Sequence, residues 1–184
     1  NLLKELHEGN LAKVHMSDRL RHLESFTGIK EYSLPPGFAG KLRPYQKAGY
    51  NWLRFLNEFH LGGCLADDMG LGKTVQTLAL LQSEKEKGKS GTSLLIMPTS
   101  LVYNWEMEAN KFTPDIKILT YTGTQRNKDI SRFSKYDIVI TSYGITRLDS
   151  ELLQNFTFNY IILDESQVIK NPTSNIAKAV LQLK

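Results

Sequence analysis

Residues 62–74 hold a short glycine-bearing stretch whose residue types bind phosphate. Gly70 and Gly72 allow the backbone to curl so that successive N–H groups point inward, which forms a concavity suited to phosphate oxygens. Lys73 adds a point charge for the β- and γ-phosphates, and the Thr74 hydroxyl is the usual oxygen ligand for magnesium in such loops. The helix predicted from Lys73 onward directs its positive amino-terminal end at the same anion. The stretch therefore predicts a site for nucleotide phosphates.

The match to the phosphate-loop pattern is partial, because the strict pattern has glycine at the position of Asp67. An extra negative charge inside the loop would repel phosphate, so we interpret Asp67 and Asp68 as structural or as bridging to other loops. The apolar residues before the loop predict a short buried strand over residues 62–66, with Cys64 as a small core residue. The alternative is a plain glycine turn between a strand and a helix.

A second acidic pair, Asp164 and Glu165, follows the apolar run Tyr160–Leu163. In a nucleotide hydrolase one such carboxylate holds the magnesium shell and its neighbour polarises the attacking water. Two acids after a strand can equally begin a helix. Together with Lys73 and Thr74 in the same chain, they form a constellation that predicts nucleotide hydrolysis.

Apolar runs of strand length recur between helical segments. The runs lie at residues 93–97, 116–120, 137–141 and 160–163. Strands that alternate with helices predict a parallel α/β sheet, in which ligands bind beyond the carboxyl ends of the strands. Every polar cluster singled out here, the phosphate loop included, is predicted to lie at such an end, which supports a site at that edge of the sheet.

The composition fits a globular protein of one ordinary domain, with 184 residues of which 41% are hydrophobic and 23% charged. No apolar run approaches the roughly 18 residues that a membrane span needs. The single cysteine excludes an internal disulfide or a Cys/His metal site and favours an intracellular, reducing location. The net charge of +4 permits a polyanionic partner but does not argue for one.

The chain divides near residue 37. Residues 1–37 are predicted to be a helical N-terminal extension that ends in a linker, because leucines recur there at helical spacing and Pro35 and Pro36 cannot lie inside a helix. In residues 38–184, a helix is predicted from Pro44, and Gln46 falls in its first turn. Its amide presents a donor and an acceptor, which complement an adenine edge, although a solvated glutamine is the simpler interpretation of this residue alone.

From about Lys41 onward the chain resembles the first RecA-like lobe of the SWI/SNF-type DNA translocase ATPases of helicase superfamily two. Six stretches carry the resemblance, in the order and at the spacing of that family: residues 42–46, 67–74, 98–105, 141–143, 164–167 and 169–172. The family also carries aspartate at the position of Asp67. The resemblance implies a RecA-like parallel sheet flanked by helices, the cofactors ATP and Mg²⁺, and hydrolysis of ATP to ADP and phosphate. It also implies sequence-independent binding of double-stranded DNA through the phosphate backbone.

The resemblance assigns roles to particular residues. Glu165 is implied as the catalytic base, Asp164 and Thr74 as the metal-site residues, and Lys73 as a phosphate-binding catalytic residue. The implied ATP-binding residues are Arg43, Gln46, Asp68, Met69, Gly70, Leu71, Gly72, Lys73 and Thr74. The implied DNA-binding residues are Pro98, Thr99, Ser100, Thr141, Ser142 and Tyr143, with Asn104 and Trp105 behind them. For Trp105, simple helix packing is an equal alternative.

The sequence departs from the family pattern in two ways. Gln167 stands where many relatives have histidine, and Ser166 precedes it; glutamine preserves hydrogen bonding, so we expect hydrolysis to survive. The later family motif and the second lobe with its arginine fingers do not follow, so we expect a fragment of a larger protein that is poorly active alone. Two rival functions stay open: a strand-separating RNA or DNA helicase of the same superfamily, and a nucleotide-binding module without turnover.

Overall fold

The computed structural model describes residues 28–68, 70–88 and 91–184. The helices predicted for the N-terminal extension fall in residues 1–27 and lie outside the described residues. Met69, which was predicted to bind ATP, also lies outside them. Among the described helices, none is both long enough and apolar enough to cross a membrane.

The described chain alternates helices with strands, as predicted. The α-helices are α1 (Pro44–Glu58), α2 (Lys73–Glu86), α3 (Val102–Phe112), α4 (Tyr143–Leu148), α5 (Ser150–Leu153) and α6 (Asn175–Leu181). The strands are β1 (Ser93–Met97), β2 (Ile118–Tyr121), β3 (Ile138–Ser142) and β4 (Tyr160–Leu163). Short 3₁₀ turns span Thr99–Leu101, Ile130–Lys135 and Ser166–Ile169.

The four strands form one parallel sheet in the order β2-β3-β1-β4. Every residue of β1 and β3 is buried. Continuous burial requires cover on both faces, which is why these strands are continuous apolar runs rather than alternating ones. The predicted parallel α/β fold is confirmed, and each of these strands lies within two residues of its predicted position.

Helices cover both faces of the sheet, and alternate residues of β1 point into two separate cores. Leu95 and Met97 pack on one face with residues of α2 and α3, including Leu78 and Trp105. Leu94 and Ile96 of β1 pack on the other face with Tyr143 and with residues near the C-terminus. The period-two alternation of a strand therefore builds both cores from one segment.

The strand predicted over residues 62–66 does not form, and Cys64 is exposed rather than buried. A strand needs a neighbour to satisfy its backbone hydrogen bonds, and this segment pairs with none of the four strands. β4 ends the sheet on its side, and its four residues are only half-buried. The segment instead passes along α1, where the side chains of Trp52 and Leu56 lie close over Gly63.

The segment predicted as a linker is bound along the first two helices. The Tyr50 hydroxyl donates to the carbonyl oxygen of Ser33 over 3.1 Å. The backbone N–H of Tyr32 donates to Asn51 Oδ1 over 3.1 Å, and that of Gly37 to Glu86 Oε1 over 2.7 Å. This part of the chain thus packs on the lobe, and the domain boundary near residue 37 stays a prediction.

A buried ion-pair cluster holds the segment after β2 against the start of α5. Arg126 Nε donates to Asp149 Oδ2 over 2.6 Å, and the Tyr121 hydroxyl donates to the same oxygen over 2.7 Å. Lys128 Nζ lies 3.3 Å from the other oxygen. The Arg126 guanidinium beside it lowers the pKa of Asp149 from its ordinary 3.8 to about 2.

Replacing this carboxylate is expected to cost stability in a pH-dependent way. Because the pKa of Asp149 is lower in the fold than in the unfolded chain, its contribution is full above about pH 4 and is lost as the pH falls toward 2. Asp149→Asn should therefore lower the free energy of unfolding by about 2 kcal/mol near neutral pH, and by much less near pH 2. Urea unfolding of the full chain followed by circular dichroism measures both values.

The control is Asp115→Asn, which changes an exposed aspartate. We expect it to leave stability nearly unchanged at either pH. A stability deficit of Asp149→Asn that has the same size at both pH values would contradict the role given to the ion pair.

Candidate nucleotide site

The loop before α2 adopts the conformation that its glycines permit. Gly70 and Gly72 have φ angles of +80° and +77°, in the left-handed region that disfavours other residues. Gly72 is the residue that immediately precedes α2, so the loop leads directly into the helix amino terminus. This is the predicted geometry for a phosphate cradle.

Lys73 lies across the loop that it follows. Its Nζ donates to the carbonyl oxygens of Asp67 and Asp68, over 2.7 and 3.0 Å. The ammonium group therefore stands at the mouth of the loop, held by backbone rather than by a carboxylate. Thr74 is half-buried in the first turn of α2. Binding a phosphate would exchange two contacts of the Lys73 ammonium with neutral carbonyl oxygens for contacts with an anion.

Gln46 connects α1 to the phosphate loop. Its Oε1 accepts from the backbone N–H of Arg43 over 2.9 Å, and its Nε2 donates to the carbonyl oxygen of Leu71 over 3.1 Å. A Cβ atom added to Gly72 would overlap this Nε2. Both ends of the amide are thus engaged, although each end can make a further bond. The adenine contact predicted for Gln46 and the exposed Arg43 stays a prediction.

The carboxylate of Asp67 is bound to a side chain of α2. Its Oδ2 accepts from Gln76 Nε2 over 3.3 Å, one turn into α2. Gln76 is fully buried, and its Oε1 lies where a Cβ on Gly49 of α1 would be. The bond therefore links the loop to α2 rather than to another loop, which fits the structural role that was one of the two interpretations of Asp67.

Asp164 is held from several directions at the carboxyl end of β4. Its backbone N–H donates to the carbonyl oxygen of Ile96 over 2.9 Å, which continues the ladder with β1 by one residue. Its Oδ1 accepts from the backbone N–H of Glu165 over 2.9 Å, and its Oδ2 accepts from Trp105 Nε1 over 2.7 Å. The Tyr143 hydroxyl donates to its carbonyl oxygen over 2.8 Å.

Glu165 has a left-handed backbone, with φ +52° and ψ +48°, which is uncommon for a residue with a Cβ. Its Oε2 accepts a hydrogen bond from Gln167 Nε2. Gln167 thus makes a hydrogen bond to the neighbouring acid, whereas the expectation that hydrolysis survives with glutamine at this position stays a prediction. Burial, followed by the charges of Asp164 and Glu165, raises the pKa of the Tyr143 hydroxyl to about 12, so this group stays a protonated donor.

The residues predicted to contact DNA fall into two classes of exposure. Thr99 and Ser100 are exposed and Pro98 is half-buried, in the turn just after β1. The residues of the second group are buried: Thr141 (0% exposed), Ser142 (5%) and Tyr143 (4%). Thr141 donates to the carbonyl oxygen of Tyr121, and Ser142 accepts from the N–H of Ile145. The exposures count backbone and side chain together, so in this conformation the second group offers almost no surface to a phosphate, and its assignment to DNA binding stays a prediction.

The sequence analysis gave Trp105 only packing or a place behind the DNA-contacting residues. The structure places its indole N–H on Asp164, and its side chain is only 4% exposed. Sequence spacing could not reveal this bond, because 59 positions separate the two residues. The available signal was indirect: a buried tryptophan needs an acceptor, and α3 leaves the sheet beside the strand that carries the acids.

The two halves of the candidate site come from opposite parts of the chain. Gln46, the phosphate loop and Lys73 form one half, and Asp164 with Glu165 forms the other. Within the described residues no hydrogen bond or ion pair joins the halves, and no group of three or more His, Cys, Asp or Glu side chains could hold a metal alone. Hydroxyl and carboxylate oxygens suit Mg²⁺, which keeps waters and takes phosphate oxygens as further ligands. The donor set therefore fits magnesium brought with a nucleotide.

A parallel sheet flanked by helices, with a glycine-bearing loop at a helix amino terminus and acids at a strand's carboxyl end, defines a nucleotide-binding domain of the RecA-like type. Comparisons with known proteins give the family: residues 45–184 match the SNF2-related domain. The chain belongs to that family.

Similar proteins and structures agree with this assignment. The chain is 43% identical over 169 residues to YwqA of Bacillus subtilis, which is named as an ATP-dependent helicase/translocase. It is 41% identical over 180 residues to the TATA-binding protein-associated factor MOT1 of Saccharomyces cerevisiae. Each match covers 90% of this chain, but only 18% of YwqA and 10% of MOT1.

Two solved structures of the Sulfolobus solfataricus SWI2/SNF2 ATPase core are also similar. The core in complex with double-stranded DNA matches with a TM-score of 0.76 and 39% identity, over 84% of this chain and 32% of that one. The structure of the core domain matches with a TM-score of 0.71 and 38% identity, over 93% of this chain and 33% of that one. The predicted RecA-like fold is thereby confirmed.

Alanine substitutions at the two loop glycines test how the loop is held. Both positions have positive φ, so each alanine is expected to cost about 1–2 kcal/mol of backbone strain. Gly72→Ala also places a Cβ against the Gln46 amide, whereas Gly70 has no atom within 4 Å of that position. Gly72→Ala should therefore destabilise the full chain more than Gly70→Ala, as measured by urea unfolding.

The Gln46→Ala background identifies the cause of the difference. Removing the amide should make the two glycine substitutions about equally costly, because only the shared strain remains. If Gly72→Ala keeps its full excess cost without the Gln46 side chain, the described contact does not account for it.

Proposed function

We propose that this chain is the ATP-binding lobe of an ATP-dependent double-stranded DNA translocase or remodelling ATPase. The observation that carries the proposal is the pairing of a phosphate cradle at the start of α2 with two acids at the end of β4, in a chain of the SNF2-related family. The names of its relatives, and the DNA complex of a similar ATPase core, support the same direction.

The chain's own residues divide the work of hydrolysis. The loop N–H groups, Lys73 and the α2 amino terminus bind and orient the β- and γ-phosphates. Thr74 and Asp164 would hold Mg²⁺, which supplies charge neutralisation on the phosphates when it is bound. Glu165 orients the attacking water and accepts a proton from it, and Gln167 donates a hydrogen bond to the Glu165 carboxylate. The Gln46 amide, already on the loop, reaches the base edge of the nucleotide with Arg43.

DNA is bound through phosphates rather than bases. Thr99 and Ser100 present exposed hydroxyls on the turn after β1, and such groups position a duplex without reading its sequence. Thr141, Ser142 and Tyr143 are buried, so their part in DNA binding rests on the family resemblance. The chain covers 32% of the DNA-bound core to which it is similar. A second lobe supplies the remaining contacts and the arginine fingers, which are worth ~10³–10⁵ in rate in related reactions.

The first test measures ATP hydrolysis by a longer protein that continues this chain through a second lobe, with and without duplex DNA. Duplex DNA is expected to stimulate turnover strongly, and the present chain alone should bind nucleotide weakly and turn it over poorly. Stimulation by RNA or single strands instead of duplex would favour a strand-separating helicase. Absence of turnover in the two-lobe protein would favour a nucleotide-binding module.

Glu165→Gln separates an enzyme from a binding module. The amide is nearly isosteric but cannot accept the proton, so turnover in the two-lobe protein should fall by at least ~100-fold while the affinity for ATP stays nearly unchanged. Glu151→Gln, at an exposed glutamate of α5, is the matched control and should leave both quantities unchanged. Turnover that survives Glu165→Gln would remove this residue from the role of base.

A further inference from the structure

The carboxylate of Asp164 is the acceptor for a buried tryptophan. Trp105 lies in α3, is 4% exposed, and donates its indole N–H to Oδ2 over 2.7 Å. The other carboxylate oxygen accepts the backbone N–H of Glu165 over 2.9 Å. Each oxygen is therefore fixed by one donor, and together the two bonds set the plane of the carboxylate.

This arrangement leaves the carboxylate able to act on a metal. An ionised carboxylate offers about four lone-pair positions, and the two donors use one on each oxygen. The remaining positions point in directions that the indole and the Glu165 backbone determine. A group that fixes the orientation of a metal-binding carboxylate, without touching the metal, typically controls metal affinity by 10–100-fold.

Trp105 also connects two parts of the lobe that the proposed function treats separately. It lies in the first turn of α3, directly after the turn Thr99–Leu101 that carries the exposed Thr99 and Ser100. Tyr143, at the start of α4 after β3, donates to the carbonyl oxygen of the same aspartate over 2.8 Å. The segment after β1 and the segment after β3 thus each carry a side chain that donates a hydrogen bond to Asp164.

We propose that Trp105 is a positioning residue for Asp164, which holds the carboxylate in the orientation that binds Mg²⁺ with ATP and ties that orientation to the segment after β1. The inference rests on the proposed function, because it takes Asp164 as a metal-site residue. The alternative is that Trp105 serves only to fill the core, where it packs with residues of β1, β3 and α2.

Trp105→Phe removes the N–H donor and keeps an aromatic ring in the core. The measurement is binding of a fluorescent ATP analogue to the full chain, followed by polarisation while the Mg²⁺ concentration is varied. The Mg²⁺ concentration at half-saturation should rise about 10-fold, while circular dichroism shows a folded chain. A residue that only fills the core would leave the Mg²⁺ dependence unchanged, and that result would overturn the proposal.

Trp52→Phe is the matched control, because Trp52 is the other of the two tryptophans and lies on α1 near Gly63. It should leave the Mg²⁺ dependence unchanged. An equal shift in both variants would mean that loss of any tryptophan loosens the lobe, and would also overturn the proposal.

The control variant provides a second measurement that does not require Trp105→Phe to fold. In Trp52→Phe the only tryptophan is Trp105, so its fluorescence reports on the indole N–H and its acceptor. Adding Mg²⁺ with ATP should change that emission, and Asp164→Asn in the same background should remove the change. Emission that ignores Mg²⁺ with ATP would count against the proposal.

Asp164→Asn alone separates a failure of this inference from a failure of the proposed function. If Asp164→Asn leaves the Mg²⁺ dependence of ATP binding unchanged, Asp164 is not a metal-site residue, and the inference falls with that assignment. If Asp164→Asn weakens the Mg²⁺ dependence and Trp105→Phe does not, the metal assignment stands and only the inference fails. If both shift it, the double variant should shift it no further than Asp164→Asn, because the two residues act through one bond.

Discussion

The parallel pairing of β1 with a strand on each side determines where the candidate residues that follow β1, β3 and β4 lie. The register aligns Met97 with Ser142 and Ile96 with Leu163, so β1, β3 and β4 end within about one residue of each other. The turn after β1, the start of α4 and Asp164 therefore begin at one edge of the sheet. Asp164 extends this ladder through its own N–H bond to Ile96. A one-residue slip of β4 would exchange the faces of its side chains and move the acids out of register with both neighbouring segments.

The phosphate loop is held differently, by helices rather than by the sheet. No described strand precedes it; instead Gln46 of α1 holds the carbonyl of Leu71, and Gln76 of α2 holds Asp67. These contacts require close approach, since Gly49 and Gly72 each lie where a Cβ would meet one of the two amides. The glycines thus serve two purposes: positive φ at the loop, and the absence of a side chain where two elements touch. The loop geometry consequently depends on how α1 packs against α2.

Local sequence signals predicted most of the fold, whereas features that depend on contacts between distant residues were not predicted. Pro44, the glycines before Lys73 and the apolar runs placed α1, α2 and the four strands, because these features act within a few residues. Residues 62–66 have the composition of a strand, but strand formation needs a partner, which sequence pattern alone does not supply. Tyr143 was assigned to the surface from its motif, yet its ring fills a core. The Trp105 bond to Asp164 was missed for a similar reason: the acceptor of a buried indole is set by packing across the sheet.

The two neighbouring acids differ in how firmly the fold holds them, and this difference matches the roles proposed for them. Asp164 receives hydrogen bonds from α3, from Tyr143 and from the next residue, and its N–H is part of the sheet. A metal-site carboxylate needs such a fixed orientation, because coordination geometry tolerates little error. Glu165 lies beyond the ladder, in a left-handed conformation that costs about 1–3 kcal/mol, and its side chain is held by the exposed Gln167. In the proposed function Glu165 acts on a water whose position depends on the nucleotide and on a second lobe, so a side chain that can change its conformation suits that role. The fold thus fixes the first acid through the sheet and leaves the second to be set by what binds.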